Sequence, residues 1–147
     1  GRGRHALPAG SMGLHRRWRV YRYSPGAHYR PHIDGAWPPS GLTEGDEGEY
    51  IYDTSAGKLR SKLTFLLYLS AGFDGGCTSY FVPSAEAHAP CLRARGILPS
   101  TGSIAIFPHG QSEGSLLHEG SPLLSGTKYI IRTEVLMAFG AGDVLDI

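Results

Sequence analysis

The sequence predicts a mainly β fold, a sandwich or barrel of short strands with few helices. Three observations carry this. The chain has 21 glycines and 10 prolines, which punctuate it with tight turns. Its apolar residues come in short alternating or continuous runs, and no stretch sustains the 3.6-residue period of a long helix. At 147 residues it is one domain on length, large enough to bury a real core. That domain is assigned to residues 16–140, between a loose N-terminal arm or remnant of a longer region at 1–15 and a tail at 141–147.

Trp18 to Tyr23 alternates aromatic or apolar residues with arginine, as a half-buried strand does, and stops at Ser24-Pro25-Gly26. A second strand carries Tyr29, His32 and Asp34. Gly35 to Lys62 reads as a long loop with a short hairpin at Glu49 to Thr54, and its place directly after His32 and Asp34 suits a lid. Leu63 to Leu69 is apolar on both faces and predicts a central strand with Thr64, Leu66 and Tyr68 on one side. Cys77 to Val82 is the next strand, Pro83 to Ser100 is irregular, and Ser103 to Phe107 is a short buried strand ended by Pro108-His109-Gly110. Gly114 to Glu119 and Lys128 to Met137 are expected to form a final pair, joined through Pro122 and Gly126.

Net charge is +1, so overall charge selects no partner. Its distribution is uneven. Residues 1–31 hold seven arginines and no acid, whereas residues 32–57 hold six acids and no lysine or arginine. A basic edge facing an acidic loop accounts for this; the sharper reading is a groove of mixed sign for a polar polymer. Cys77 and Cys91 allow one bridge but no disulfide framework, and their spacing fits no zinc pattern. No run approaches the ~18 apolar residues of a membrane span, and the start lacks a signal peptide's apolar segment. With any targeting segment removed, the chain as given favours cytoplasm or nucleus; composition fixes no oligomeric state.

His32 and Asp34 are two apart on an extended strand, so they face the same way and can bind one metal ion. Taken alone, the pair is equally a carboxylate hydrogen-bonded to an imidazole. A third ligand must come from elsewhere. His118, in Leu-Leu-His-Glu-Gly-Ser-Pro, is the best candidate; His109, in a Pro-His-Gly turn, and His88, in an irregular stretch, read as surface residues. Two histidines and a carboxylate on one face of an iron leave positions open for reactants.

Several motifs occur in order: Tyr23-x-x-Gly26-x-x-Tyr29-x-x-His32-x-Asp34, Thr64 to Leu69, Gly75-Gly76-x-Thr78-x-x-Phe81, Gly102-x-x-x-x-Phe107, and His118-x-Gly120-x-Pro122 leading to Gly126-x-Lys128. On these, residues 18–137 resemble the prolyl 4-hydroxylase-like branch of the Fe(II)/2-oxoglutarate-dependent dioxygenases. The resemblance implies a double-stranded β-helix, a cupin-like jelly roll, with Fe(II) held by His32, Asp34 and His118. It implies 2-oxoglutarate and O2 as cosubstrates, with ascorbate as an accessory. Lys128 would meet the far carboxylate of 2-oxoglutarate, Tyr23, Thr64 and Tyr68 would line its pocket, and Tyr29 would lie near substrate. A dicarboxylate in a pocket needs a fixed cation, which supports the lysine on physical grounds. Arg132 shares a strand face with Lys128 and Ile130 and so points toward the site, where the collagen-type pattern has a small polar residue. It is expected to reach the cosubstrate's inner carboxylate or the substrate.

The implied activity is hydroxylation of a protein or peptide side chain, foremost peptidyl proline, with release of succinate and CO2. Tyr29 and Trp37 offer aromatic faces to a proline ring. The alternatives are a small-molecule or nucleic-acid oxygenase on the same fold and a silent peptide-binding module. Nucleic acid is disfavoured because the basic segment lacks aromatic interleaving outside Trp18, Tyr21 and Tyr23. A zinc hydrolase would have only Glu119 as a general base.

Overall fold

The computed structural model describes residues 7–45, 48–84 and 91–140. Among the described residues every regular element is a strand. In chain order these are β1 (Ser11–Leu14), β2 (Arg19–Tyr23), β3 (Tyr29–His32), β4 (Gly41–Leu42), β5 (Tyr50–Ile51), β6 (Leu59–Tyr68), β7 (Asp74–Gly75), β8 (Thr78–Pro83), β9 (Leu92–Ile97), β10 (Ile104–Pro108), β11 (His118–Gly120), β12 (Leu123–Ser125) and β13 (Lys128–Ala138). No helix of the described residues is long and apolar enough to cross a membrane.

The larger sheet runs β1-β13-β6-β10, with β2 also paired to β13; the smaller runs β3-β11-β8-β9. All these pairings are antiparallel. Side chains alternate along a strand, so each sheet turns every second residue inward. On β6 these are Thr64, Leu66 and Tyr68, as the sequence predicts, and on β13 they are Lys128, Ile130, Arg132 and Glu134; all seven are buried. Leu66, Tyr68 and Ile130 pack against Tyr80 of β8 and Phe107 of β10 to form the core. The Tyr80 and Phe107 rings meet edge to face at 5.1 Å between centroids. These two sheets make the sandwich the strand pattern predicts, in the form of the double-stranded β-helix that the resemblance implies.

Several expectations are corrected. Residues 1–15 are not a loose arm throughout, because Ser11–Leu14 is an edge strand on β13; the remaining call on residues 1–6 lies outside the described residues, as do His88 and the tail at 141–147. An edge strand is held through its backbone, so Ser-Met-Gly-Leu needs no apolar alternation. The same reason hid β9, exposed along its whole length, in the stretch read as irregular. The short hairpin pairs β4 with β5 rather than lying within Glu49–Thr54, and β6 begins at Leu59, shortening the loop after Asp34. Gly114 to Glu119 does not pair with β13. Instead β11 lies between β3 and β8 in the opposite sheet, while β12 pairs with β7. Cys77 and Cys91 are free thiols.

Candidate metal centre

Strand register brings the two histidines together. His118 on β11 is the direct cross-strand partner of His32 on β3, and their rings lie 4.4 Å apart. Asp34 follows β3 by two residues and is pinned by its own carbonyl, which accepts from Gly110 N–H at 2.7 Å. His32, Asp34 and His118 offer ligand atoms within 4.8 Å of one another, the one such cluster of three among the described residues.

The tautomers of both histidines are set by backbone carbonyls. His32 Nδ1 faces Arg30 O at 2.7 Å and His118 Nδ1 faces Leu116 O at 3.1 Å. A carbonyl only accepts, so each Nδ1 carries a proton and each ring turns its Nε2 toward Asp34, where it donates to the carboxylate when protonated and offers a lone pair to a metal when not. Those Nε2 atoms lie 3.1 and 3.5 Å from the Asp34 carboxylate. Two imidazole Nε2 atoms and a carboxylate turned on one point are donors that a divalent metal can take together. The donor set therefore fits Fe(II).

The carboxylate is buried, at 4% exposure, and burial works against its ionisation. Hydrogen bonds from His118 and His32, the Arg132 guanidinium and the Thr64 hydroxyl outweigh that and hold Asp34 well below the usual carboxylate range. Its hydrogen bond to Asp34 raises the His32 pKa, against burial. Arg132 Nη1 sits 2.9 Å from Asp34 Oδ1 and Nη2 3.5 Å from Glu134 Oε1. Arg132 thus points into the site as its strand face requires, and its charge is spent on the carboxylates of Asp34 and Glu134.

Thr64, expected at the wall of the cosubstrate pocket, is hydrogen-bonded to the Asp34 carboxylate. Its hydroxyl donates to Asp34 Oδ2 at 2.6 Å and lies 2.8 Å from His109 Nδ1, so no hydrogen is left for a ligand. His109 is not a surface residue; it is fully buried and lies 2.9 Å from Ser61 Oγ. Burial lowers its pKa, which keeps the ring neutral. The turn sequence Pro-His-Gly gave no sign of this burial. Glu134 was also missed, although its alternation with Arg132 on β13 was visible.

Lys128 lies farther along the same inner face. Its ammonium donates to Gly76 O at 2.6 Å and stands over the Tyr23 and Tyr68 rings at 5.4 and 5.8 Å. No acid pairs with it among the described residues, and at 3% exposure burial pulls its pKa down to about 8. An unpaired buried ammonium fits a carboxylate ligand. Tyr68 OH donates to Thr78 Oγ1 at 2.8 Å, and burial, then Tyr21 and Tyr29, push Tyr23 up to about 12. Gly75 and Gly76 make room here. At φ of 72° and 63°, a Cβ would come within 2.4 Å of Pro122 O and 2.9 Å of Leu123 Cδ1 respectively.

Tyr21, Tyr23, Leu66 and Ile130 wall a cavity that reaches His32, Asp34, His118 and Arg132. Tyr29 and Trp37, at 40% and 37% exposure, border a second, larger cavity that reaches His32, Asp34 and Arg132. Tyr29 is 4.4 Å from the His32 ring, and the Arg17 guanidinium lies 5.5 Å over Trp37.

Comparison with known proteins agrees with this geometry. The chain is 28% identical over 117 residues to mouse prolyl 4-hydroxylase subunit alpha-3, a match covering 76% of this chain and 18% of that subunit. Its fold resembles that of a Pseudomonas putida prolyl-4-hydroxylase (TM-score 0.54, 21% identity, 89% of this chain and 54% of the other). It also resembles a Burkholderia pseudomallei oxidoreductase of the 2OG-Fe(II) oxygenase family (TM-score 0.51, 13% identity, 84% and 42%). The chain therefore spans less than two thirds of each of these relatives. Residues 18–133, from just before β2 to the middle of β13, match the model of the 2OG-Fe(II) oxygenase superfamily, and the chain belongs to that family.

Proposed function

We propose that this chain is an Fe(II)- and 2-oxoglutarate-dependent oxygenase that hydroxylates a protein or peptide side chain, with peptidyl proline as the target and succinate and CO2 as co-products. The observation that carries the reading is one face holding both a His32-Asp34-His118 cluster and an unpaired buried lysine. His32, Asp34 and His118 would hold the metal, and Lys128 the far carboxylate of 2-oxoglutarate. Bound Fe(II) would activate O2 as the oxidant, one oxygen atom going into succinate as 2-oxoglutarate loses CO2 and the other into the C–H bond.

The chain's own groups do the rest. Arg132 keeps Asp34 ionised and fixes one of its oxygens. Leu66, Ile130 and the tyrosines of β2 exclude water from the cavity. Tyr29 and Trp37 present aromatic faces at the second cavity, suited to the ring of a proline in an extended peptide. The mouse relative, named as a prolyl 4-hydroxylase subunit, supports that substrate class.

The test is anaerobic addition of Fe(II) and then 2-oxoglutarate to the purified chain. A visible charge-transfer band is expected, and it should be absent in His118→Ala. Proline-containing peptides should then stimulate succinate release. A folded, metal-supplemented protein without the band would refute the assignment.

A further inference from the structure

The hydrogen bonds behind Asp34 have a single consistent direction. Thr64 has one hydroxyl hydrogen, and its 2.6 Å contact is with a carboxylate, which can only accept. Thr64 must therefore accept from His109, and the proton of the His109 ring is on Nδ1, 2.8 Å away. At the other side of the ring, Ser61 Oγ accepts from Trp37 N–H at 2.9 Å, so its own hydrogen is free to go to His109 Nε2 at 2.9 Å. The chain runs from Trp37 N–H to Ser61, from Ser61 to Nε2, and from Nδ1–H through Thr64 to Asp34. Ser61, Thr64 and His109 are each 0% exposed, so water does not substitute for any member.

Resting on the metal-site reading above, we infer that His109 is a positioning residue for the metal-binding carboxylate, acting through Thr64, and that the same ring ties this carboxylate to the backbone of the loop carrying Trp37. A carboxylate fixed on Oδ2 by Thr64 and on Oδ1 by Arg132 cannot rotate freely about its Cβ–Cγ bond. Its orientation toward the two imidazoles is set before any metal arrives. Thr64 alone would not do this. Without a donor behind it, its hydroxyl can turn elsewhere; with Nδ1–H on its lone pair, the hydroxyl hydrogen is left facing Asp34.

The two amide replacements separate the two halves of the ring. The side chain of His109→Asn places an N–H near the position of Nδ1, whereas that of His109→Gln reaches the position of Nε2. Binding of Mn(II), followed by the EPR signal of the free ion, should weaken about ten- to hundredfold in His109→Gln and in Thr64→Val, the usual range for groups that orient metal ligands. His109→Asn should stay close to wild type, and adding His109→Gln to Thr64→Val should weaken binding little further. Equal weakening in Asn and Gln variants of matched thermal stability would show a merely structural role and overturn the inference, as would unaltered binding in His109→Gln. Nitrogen-15 shifts of the His109 ring in metal-free protein give a second reading: protonated Nδ1 is expected, and protonated Nε2 refutes the relay. Wild-type protein that binds no Mn(II) while showing protonated Nδ1 would refute the metal site, and with it a positioning role toward metal, but not the hydrogen-bond order.

Discussion

Lys128 and Arg132 are two buried cations on the inner face of one strand, roughly 13 Å apart along it, yet they stand in opposite electrostatic states. Arg132 lies between Asp34 and Glu134 and is compensated. Lys128 has a carbonyl and two aromatic faces, and burial has moved its pKa down to about 8. A charge that the fold has already paired contributes to the architecture, whereas one held without a counter-ion favours binding an anion. The identical strand face thus holds a structural cation at one end and a ligand-ready cation at the other.

The largest effect should come from reversing these roles by substitution. Arg132→Met takes the guanidinium from the buried carboxylate of Asp34 and leaves Glu134 with Arg19 alone, and is expected to cost about 3–5 kcal/mol of folding stability, measured by urea unfolding. Lys128→Met should leave folding stability equal or higher, while removing about 2–5 kcal/mol of 2-oxoglutarate binding, measured by titration of the iron-loaded protein. If Lys128→Met weakened metal and 2-oxoglutarate equally, the lysine's assignment would be wrong.

A smaller effect is expected from pH. In the free protein Lys128 is half neutral near pH 8, so 2-oxoglutarate affinity should fall as pH rises through 8, by at most about tenfold per unit. Stability moves the other way. Between about 8 and the ordinary lysine value the unfolded chain binds the extra proton, so folding stability should rise with pH across that window. The rise should vanish in Lys128→Met and persist in Arg132→Met. The smallest change is Arg19→Met. Arg19 donates to Glu134 Oε1 at 3.1 Å from a partly exposed position, and its loss should cost no more than about 1 kcal/mol.

The site was legible where it depends on strand periodicity. His32 with Asp34, Thr64 with Leu66 and Tyr68, and Lys128 with Ile130 and Arg132 all follow from alternation, and alternation survives whatever the strands pair with. What depends on pairing was not legible. The neighbours of β11 in sequence suggest a hairpin with β13, but β12 leaves to pair with β7, and β11 crosses to the opposite sheet. That crossing sets His118 beside His32. His109 was missed for a related reason: its burial comes from Gly110 bonding the Asp34 backbone and from Ser61 on a different strand, contacts that no local pattern encodes. Thr64 was placed on the correct face, but the direction of its single hydrogen emerges only with His109 beside it.

His15 extends the same dependence to the edge of the molecule. Fully buried just after β1, its Nδ1 accepts from Arg17 N–H and its Nε2 reaches Pro38 O at 2.9 Å. The loop that supplies Trp37 N–H to Ser61 is therefore moored to an N-terminal strand upstream of the family match at residue 18. A fragment trimmed to the matched boundary would keep every metal ligand and lose the mooring of the loop behind them. A minimal fragment of this chain has to be cut before β1, since only Arg16 and Arg17 separate His15 from the first matched position.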